Sequence, residues 1–388
     1  MGPVITPPAT IGILGGGQLG RMLGFAAREM GYGIRILDPD ATCPAAAIAD
    51  HVEVGSYSDV EAALRMATGC AVMTYELEHV DALLVEAIEA AGVPVRPCVL
   101  ALRVTQDRLA ERRFVAAQDI AVAPWREVDS GDDDGLAGAV AILGLPIRLK
   151  AAFGGYDGRS QVRVATRRER TLAWMDLGRP PGQPVLVERE LHFEAELSVI
   201  CARSLDGQVA SFPVARNRHD DGILVESVMP AGVSAEVSAA AGAIAARLAE
   251  AMDLVGLLTV ELFLMRDGSL IVNELAPRVH NSGHATIEAS ATSQFEQHIR
   301  AIWGLPWGAT DTLSPAAMVT VLGSGPRRAA ALDGAAQALA EPTVHLHVYG
   351  KREVHERRKM GHLTALGGTT DEALERARTA VAHLGWMP

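Results

Sequence analysis

Short apolar runs alternate with helical apolar patterns through the first hundred residues of the chain. The apolar runs are IGIL at 11–14, IRIL at 34–37, AVMT at 71–74 and VPV at 93–95. Between them, apolar side chains recur at helical spacing from Leu19 to Met30 and from Val80 to Ile88. Strands that alternate with helices pair side by side in a parallel sheet, so this region predicts a parallel βαβ domain.

The rest of the 388-residue chain is long enough for further domains. A polar helix at 106–118 and an acidic loop at 129–135 precede a strand-rich region. Its predicted elements are strands at 144–150, 161–164, 184–188, 195–201, 257–264 and 270–275, a helix at 235–252 and a helix that ends near Trp303. The last 75 or so residues predict a small αβ unit with strands at 318–323 and 344–351 and a helix at 371–384. The predicted class is α/β, with an α+β arrangement in the middle.

Composition limits the kinds of molecule that the protein is expected to bind. A formal net charge of −12 argues against nucleic acid, whose backbone requires a basic surface. No apolar run approaches the roughly 20 residues of a membrane span, and no signal-peptide pattern opens the chain, so we expect a soluble cytoplasmic protein. The four cysteines show neither CxxC nor zinc spacing, which predicts reduced and mostly buried thiols with no disulfide and no structural metal.

Arginine supplies almost all of the positive charge. Of 35 Lys and Arg residues, only Lys150, Lys351 and Lys359 are lysine. Lysine offers a compact ammonium on a flexible stem, so its retention at three positions beside Gly, His and charged residues indicates binding sites. Compositional drift that leaves three lysines at random is the alternative.

Gly15, Gly17 and Gly20 form a GxGxxG motif between a predicted strand and a predicted helix, and Asp38 ends the next strand. This is the dinucleotide-binding pattern in its usual context, and it favours NAD or FAD. A glycine turn at a helix N-terminus binds any phosphate, however, so a nucleotide monophosphate or a sugar phosphate fits as well.

Residues 150–161, KAAFGGYDGRSQ, place a lysine at the end of a strand before a glycine-rich loop. Such a loop, with Lys150 at its base and Arg159 within it, is suited to closing over a polyphosphate. An ordinary glycine turn is the alternative.

Two acidic residues, Glu261 and Glu274, lie on strands predicted to pair, with Asn273 beside Glu274. Carboxylates at one point of an apolar sheet repel each other unless a cation lies between them, and oxygen ligands suit Mg²⁺. Arg278, His280 and Asn281 follow in APRVHNSGH and can direct a guanidinium, an imidazole and an amide at a small planar oxyanion.

Together these residues resemble the ATP-grasp superfamily and, within it, the 5-(carboxyamino)imidazole ribonucleotide synthases of purine biosynthesis. The matching blocks are ILGGGQLGRML, TYELEHV, ALRVTQDRLAER, FGGYDGRSQ, VNELAPRVHNSGH and YGKREVHERRKMGH, and they cover nearly the whole chain. The resemblance implies an ATP-grasp fold with a βαβ substrate domain at 1–105, an ATP-grasp domain at 106–305 with a mobile lid at about 120–190, and an αβ domain at 306–388. It also suggests a homodimer.

The resemblance further implies the site residues. ATP is assigned Arg108, Lys150, Gly155, Tyr156, Asp157, Gly158, Arg159, Ser160, Gln161, Glu188, Arg189, Glu190, Leu191, Glu196, His219, Asn273 and Glu274. Bicarbonate is assigned Tyr156, Arg278, His280 and Asn281, and Mg²⁺ is assigned Glu261 and Glu274. The ribonucleotide is assigned Gly17, Gln18, Leu19, Glu76, Asp157, Lys351 and Arg358. One departure is Ser160, which stands where the family has glycine.

The implied reaction uses ATP to phosphorylate bicarbonate, and the carboxyphosphate formed carboxylates the amine of aminoimidazole ribonucleotide. Three alternatives stay open: an ATP-grasp ligase that uses formate, a nicotinamide-dependent oxidoreductase based on GxGxxG and Asp38, and a silent homologue that only binds nucleotide. The last two leave charged residues of the motifs without a role.

Overall fold

The structure is a computed structural model that describes residues 4–154 and 160–387. The N-terminal part consists of β1 (Thr10–Leu14), α1 (Gln18–Glu29), β2 (Gly33–Asp38), β3 (His51–Val54), α2 (Val60–Ala67), β4 (Val72–Tyr75) and α3 (Ala82–Ala90). Its four strands pair in the order β3-β2-β1-β4, all parallel. The predicted parallel βαβ domain is therefore confirmed. VPV at 93–95 forms no strand and contributes only a bridge from Val95 to Met73.

Two helices lead out of this part, α4 (Val99–Gln106) and α5 (Arg108–Ala117). The single helix predicted at 106–118 is therefore α5, which begins after Asp107, whose side chain accepts a hydrogen bond from the Leu109 amide. This cap satisfies a first-turn N–H group and ends one helix as the next begins.

A second sheet, called here the lid sheet, is antiparallel with the order β5-β8-β6-β7. Its elements are β5 (Trp125–Asp129), α6 (Asp133–Leu143), β6 (Ile147–Ala151), β7 (Gln161–Val164), α7 (Ala173–Leu177) and β8 (Pro184–Arg189). The acidic run predicted as a loop at 129–135 instead begins α6, where Asp132 caps the helix through the Gly135 amide. Acidic residues at a helix N-terminus are favoured by its positive dipole end.

The largest sheet, called here the central sheet, has nine strands in the order β14-β13-β9-β11-β12-β15-β20-β18, with β10 on the edge of β9. Its first strands and helices are β9 (Ala195–Arg203), β10 (Val209–Ser211), β11 (Ala215–Asp220), β12 (Ile223–Met229), α8 (Ala235–Ala251), β13 (Gly256–Leu264), β14 (Leu270–Ala276), α9 (Thr286–Ala289) and α10 (Gln294–Trp303). Helix α8 packs its alanine-rich face on this sheet.

Three C-terminal strands, β15, β20 and β18, extend the central sheet, whereas β16 pairs with β19 and β17 pairs with β21 in two small separate sheets. The C-terminal elements are β15 (Ala316–Leu322), β16 (Arg328–Ala329), β17 (Leu332–Asp333), α11 (Ala335–Ala338), β18 (Val344–Val348), β19 (Glu353–Val354), β20 (Lys359–Leu366), α12 (Thr370–Val381) and β21 (Gly385–Trp386). Strand β15 pairs with β12 on one side and β20 on the other. The αβ unit therefore shares its sheet with the strands before residue 305.

The N-terminal part and the central sheet share a core. Side chains of α1 and α10, including Leu23 and Trp303, pack with Ile200 and Leu257 of the central sheet. Three of the four cysteines are buried, and Cys98 is partly exposed. None of the helices in residues 4–154 and 160–387 combines the length and apolarity needed to span a lipid bilayer.

Candidate active site

A cleft of about 560 Å³ lies between the lid sheet and the central sheet. This volume is in the range of small-molecule binding sites. Fifteen of the residues predicted for ATP, metal or bicarbonate line it: Arg108, Lys150, Gln161, Glu188, Arg189, Glu190, Leu191, Glu196, His219, Glu261, Asn273, Glu274, Arg278, His280 and Asn281. Residues separated by more than 170 positions in the chain thus meet in one cleft.

The paired carboxylates lie opposite each other on the central sheet, since Glu261 of β13 is the register partner of Glu274 of β14. Burial and then the like charge of Glu274 raise the pKa of Glu261 to about 7. Asn273 donates its amide N–H to Glu261 Oε2 at 3.1 Å. Asn273 therefore offers Glu261 a donor, and the register supports the predicted carboxylate pair.

On the opposite wall, Lys150 of β6 forms an ion pair with Glu188 of β8. Arg112 of α5 joins the same carboxylate, with Nη2 3.1 Å from Glu188 Oε2. Burial opposes ionisation of Glu188, but Lys150 and then Arg112 outweigh it and lower the pKa of Glu188 to about 2. The Glu188 side chain therefore holds Lys150 in place.

The hydrogen bonds and ion pairs of Arg112 extend to strand β14, which carries Glu274. Arg112 Nη1 donates to Glu111 Oε1 at 2.7 Å, and Glu111 Oε2 accepts from the Leu275 amide at 2.9 Å. Burial raises the pKa of Glu111 to about 7, against the effect of Arg112. A chain of buried charges therefore connects Lys150 on the lid sheet to the residue next to Glu274.

The predicted bicarbonate residues follow β14. Arg278 pairs with Glu78 at 2.7 Å and donates to the Val279 carbonyl at 3.0 Å. His280 Nε2 lies 3.6 Å from Glu261 Oε1, so the imidazole is beside the carboxylate pair. Burial, and then the positive charge of Arg278, lower the pKa of His280 well below its ordinary value. The site thus presents a guanidinium and a neutral imidazole beside two carboxylates.

A second charge pair lines the same cleft. His219 Nδ1 lies 2.7 Å from Glu196 Oε2. Burial opposes protonation of His219, but the hydrogen bond to Glu196 and the charge of Glu261 outweigh it and raise the pKa of His219. Both residues were predicted to contact ATP, and both face the cleft.

The glycine loop at the start of α1 is occupied by the protein's own carboxylates. Gly17 and Gly20 each donate an amide to Glu76, both at 2.6 Å, and a side chain at Gly17 would collide with that carboxylate. Asp38 accepts from the Gly16 amide at 2.8 Å and from Tyr57. A dinucleotide would need the loop amides for its pyrophosphate and the Asp38 carboxylate for its ribose. Both already have partners within the protein, which weighs against a nicotinamide cofactor.

Of the residues predicted for the ribonucleotide, those in the described part lie outside the lining of the cleft. Lys351 Nζ donates to the Lys359 carbonyl at 2.6 Å, and Arg358 Nη1 donates to the Glu353 carbonyl at 2.6 Å. Gly350 lies beside Arg21 of α1, so the segment with Lys351 approaches the glycine loop. Lys150 and Lys359 line the cleft, which places two of the three lysines at the site.

Gly155, Tyr156, Asp157, Gly158 and Arg159 lie outside the described residues, and their predicted roles stay predictions. Ser160 has φ of 60°, a left-handed conformation that glycine adopts without strain. Its hydroxyl accepts from Arg179 Nη2 at 2.9 Å, and the same nitrogen donates to the Gly154 carbonyl at 2.8 Å. The serine thus occupies a glycine-type position and gains a hydrogen bond there.

Sequence reasoning missed three charged residues of the site, Glu78, Glu111 and Arg112, and it singled out Lys359 as a lysine without giving it a ligand. Glu78 and the Glu111–Arg112 pair stand in the blocks TYELEHV and QDRLAER, which already signalled a site. Their partners lie 76 or more residues away in the chain, so spacing alone carries no sign of the contacts.

The donors fit a Mg²⁺ ion that a bound substrate helps to hold. Within residues 4–154 and 160–387, no group of three or more His, Cys, Asp or Glu side chains is arranged to hold a metal ion. Mg²⁺ is commonly bound by one or two carboxylates together with substrate phosphates. The raised pKa of Glu261 beside Glu274 indicates a place where a cation would relieve repulsion.

An antiparallel lid sheet facing a larger sheet, with a lysine on one wall and paired carboxylates on the other, defines an ATP-grasp protein. Three family models agree: the ATP-grasp domain matches residues 113–295, the ribonucleotide synthetase preATP-grasp domain matches 8–106, and the phosphoribosylaminoimidazole carboxylase C-terminal domain matches 316–376. The predicted fold is confirmed.

The chain is similar to the N5-carboxyaminoimidazole ribonucleotide synthase of Brucella melitensis, with 43% identity over 93% of this chain and 97% of the relative. The enzyme of that name from Bacillus subtilis is 39% identical over 96% of this chain and 95% of the relative. A crystal structure of the Aspergillus clavatus N5-carboxyaminoimidazole synthase, with ADP and 5-aminoimidazole ribonucleotide, has a TM-score of 0.88 at 33% identity and covers 96% of this chain and 98% of its own. The chain belongs to the N5-carboxyaminoimidazole ribonucleotide synthase family.

Proposed function

We propose that the chain is an ATP-grasp ligase that carboxylates 5-aminoimidazole ribonucleotide with bicarbonate in purine biosynthesis, giving the N5-carboxy product, ADP and phosphate. One observation carries the proposal: Arg278 and His280 lie beside Glu261 and Glu274 in the cleft that also contains Lys150. An oxyanion site adjoins a phosphate site there. The relatives' names and the Aspergillus clavatus complex support the substrates.

The reaction has two steps. A bicarbonate oxygen attacks the γ-phosphorus and ADP leaves, which forms carboxyphosphate. The substrate amine then attacks the carboxyl carbon, the carbon–oxygen bond to phosphate breaks, and the amine loses a proton as phosphate departs. Neither step needs a covalent bond to the protein, so catalysis rests on positioning and on neutralising charge.

The main predicted groups of the cleft have these roles in the scheme. Lys150, held by Glu188, faces the triphosphate, and the connection 188–191 faces the adenine. Glu196 faces the ribose, and Arg278, His280 and Asn281 face bicarbonate. Glu261 and Glu274 would hold Mg²⁺, with Asn273 beside them. When bound, that ion neutralises charge on the phosphate oxygens.

The finer arrangement of the ribonucleotide site is part of the proposal. Lys351 and Arg358, together with the first-turn amides of α1 at Gln18 and Leu19, face the substrate phosphate, since a helix N-terminus favours an anion. Glu76 fixes the glycine turn by accepting from the Gly17 and Gly20 amides, so those two amides are not assigned to the phosphate. Tyr156 and Asp157 would approach from the loop that follows Lys150.

We also propose domains at 1–105, 106–305 and 306–388, a lid at about 120–190 that closes over ATP, a homodimer, and action in the cytoplasm. The family-model matches at 8–106, 113–295 and 316–376 support the domain limits. Closure of the lid would shield carboxyphosphate from water.

The test is phosphate release from ATP with and without each co-substrate. We expect release to require both bicarbonate and aminoimidazole ribonucleotide. Equal stimulation by formate with glycinamide ribonucleotide would identify a formate-using ligase instead. Calorimetry that finds NADH binding and no Mg²⁺-ATP binding would support the oxidoreductase.

Arg278→Ala tests the bicarbonate site. Because Arg278 faces the oxyanion and lies away from the lid wall, the variant should lose carboxylation by roughly a hundredfold or more, as removal of an oxyanion donor does. ADP binding, measured by calorimetry, should be retained. Turnover like that of the unaltered protein would contradict the assignment.

A further inference from the structure

The ring of His280 receives a hydrogen bond that fixes which of its nitrogens carries the proton. The Ser282 backbone amide lies 3.3 Å from His280 Nδ1. A backbone N–H can only donate, so Nδ1 accepts. A neutral imidazole with an accepting Nδ1 carries its hydrogen on Nε2.

A buried chain of hydrogen-bonded side chains supports the same assignment of the proton to Nε2. Its members are Ser227, Asn217, Ser198 and Ser282, of which Asn217 is the most exposed at 8%. Ser227 donates to Asn217 Oδ1 at 2.8 Å, and Asn217 Nδ2 donates to Ser198 Oγ at 2.9 Å. Ser198 donates to Ser282 Oγ at 2.8 Å. A hydroxyl has a single hydrogen, so each serine donates to only one neighbour. The hydrogen bonds therefore all run in the same direction, from Ser227 towards Ser282.

The last hydrogen in the chain belongs to Ser282, whose Oγ lies 2.9 Å from His280 Nδ1. Since Ser282 Oγ already accepts from Ser198, its own hydrogen is available for the ring. The His280 backbone is fixed as well, because Gln294 accepts from its amide at 2.9 Å and donates to its carbonyl at 2.6 Å. Ring and backbone are thus held from strands β9, β11 and β12 and from α10.

The other ring nitrogen faces the cleft. His280 Nε2 is 3.6 Å from Glu261 Oε1, beyond hydrogen-bond distance, and His280 lines the cleft. An N–H at this position is a neutral donor for an oxyanion beside the carboxylate pair. The lone pair of this nitrogen belongs to the ring's π system, so Nε2 does not accept the proton that the substrate amine loses.

We propose that this buried chain holds His280 as the Nε2–H tautomer, so that the ring donates to an oxygen of bicarbonate or carboxyphosphate and does not act as the base. Ser282, Ser198, Asn217 and Ser227 are then positioning residues that act through His280. The oxyanion role rests on the proposed function, whereas the tautomer does not.

The tautomer is measured first, in the ligand-free protein. Nitrogen-15 NMR of protein labelled at its 12 histidines, with His280 assigned by comparison with His280→Gln, distinguishes a protonated from an unprotonated ring nitrogen. The expected result is an unprotonated Nδ1 and a protonated Nε2. A protonated Nδ1 on His280 would overturn the proposal, whatever the enzyme's substrates are.

The positioning role is measured with Ser282→Ala and Ser198→Ala. The matched control is Ser290→Ala, which removes a buried hydroxyl that has no hydrogen-bond partner among the residues that the structure describes. Loss of the Ser282 hydroxyl, or of the Ser198 hydroxyl that orients it, should loosen the ring and lower kcat/KM for bicarbonate about three- to tenfold, while the Ser282 backbone amide still donates to Nδ1. KM for ATP should not change in either variant. The Ser290→Ala control should match the unaltered protein in kcat/KM for bicarbonate and in KM for ATP.

Thermal unfolding shows whether the variants are folded. Folded Ser282→Ala and Ser198→Ala proteins that match Ser290→Ala in kcat/KM for bicarbonate would overturn the positioning role. If the variants do not fold, the NMR measurement on the unaltered protein still decides the tautomer. Absence of any bicarbonate-dependent turnover in the unaltered protein would instead contradict the proposed function. The NMR result would still decide the tautomer in that case.

Discussion

Two glutamates on opposite walls of the cleft have pKa values shifted in opposite directions, because their neighbours carry opposite charges. Glu188 has two cationic partners, Lys150 and Arg112, and its pKa falls to about 2. Glu261 has a second carboxylate as its register partner, and its pKa rises to about 7. A buried carboxylate with partners stabilises the fold, whereas one without a cation costs stability that a bound ligand can recover.

Glu261→Gln should make the ligand-free protein more stable and inactive. Because the pKa of Glu261 is raised, its ionised form destabilises the fold above pH 7. The variant should gain on the order of 2 kcal/mol in free energy of unfolding there, and the gain should shrink as the pH falls below 7 towards the ordinary value of 4.5. Denaturant titration measures this gain; a loss of stability above pH 7 would contradict it.

Glu188→Gln should have the opposite effect. The lowered pKa of Glu188 means that its contribution is complete above 4.5 and is lost as the pH falls through about 2. The variant should be less stable by on the order of 3 kcal/mol at neutral pH, with the difference narrowing below 4.5. Glu127→Gln, at an exposed pair with Arg113, is the control and should change little. A difference that does not depend on pH would refute the assignment.

Single residues were predictable where chemistry and spacing coincide. Glu261, Glu274 and Arg278 were identified because strand pairing and alternation place them together. Glu78 and Glu111 were not identified, because they act through partners that only the folded chain brings near. Ser160 was noted as a departure from glycine, but its left-handed backbone and its bond to Arg179 required the structure.

Among the elements, α5 connects the two walls of the cleft. Its Arg112 bridges Glu188 of the lid sheet, and its Glu111 binds the Leu275 amide of the central sheet. The helix therefore sets the distance between the lysine wall and the carboxylate wall.

Arg112→Met and Arg113→Met form a matched pair on this helix. Arg112 is 2% exposed, and its loss leaves buried Glu111 without its guanidinium and Glu188 with Lys150 alone, so the variant should lose roughly 3–5 kcal/mol and show a raised KM for ATP. Arg113 is exposed and pairs with Glu127, so its loss should cost under about 1 kcal/mol. Denaturant titration and steady-state kinetics provide the comparison. Equal effects from the two substitutions would argue against the bridge.

Strands in which apolar residues recur were predictable, and the polar strand β11 was not. Strands β13 and β14 and their pairing were predicted from LLTVELFL and LIVNEL. Strand β7 was predicted from QVRV with the bounds that the structure shows. Strand β11, ARNRHD, has no apolar run, and it is held by strands on both sides. Its strand conformation comes from those neighbours, which local sequence does not reveal.

At the scale of the whole molecule, one sheet joins the ATP cleft to the C-terminal unit. Strand β15 pairs with β12, and β20 carries Lys359 to the cleft while Lys351 bonds to the Lys359 carbonyl. The α1 and α10 helices join the N-terminal part to the same sheet through a common core. Both ends of the chain therefore pack on the sheet that carries the cleft, which the motif order along the chain does not show.

Oxygen transfer from bicarbonate to phosphate tests the central claim most directly. If carboxyphosphate forms, the oxygen that attacks the γ-phosphorus stays with phosphate when the carbon–oxygen bond breaks. Turnover with ATP, aminoimidazole ribonucleotide and oxygen-18 bicarbonate should give phosphate that carries one bicarbonate oxygen, detected by mass spectrometry. Phosphate that contains no oxygen from bicarbonate would contradict the account.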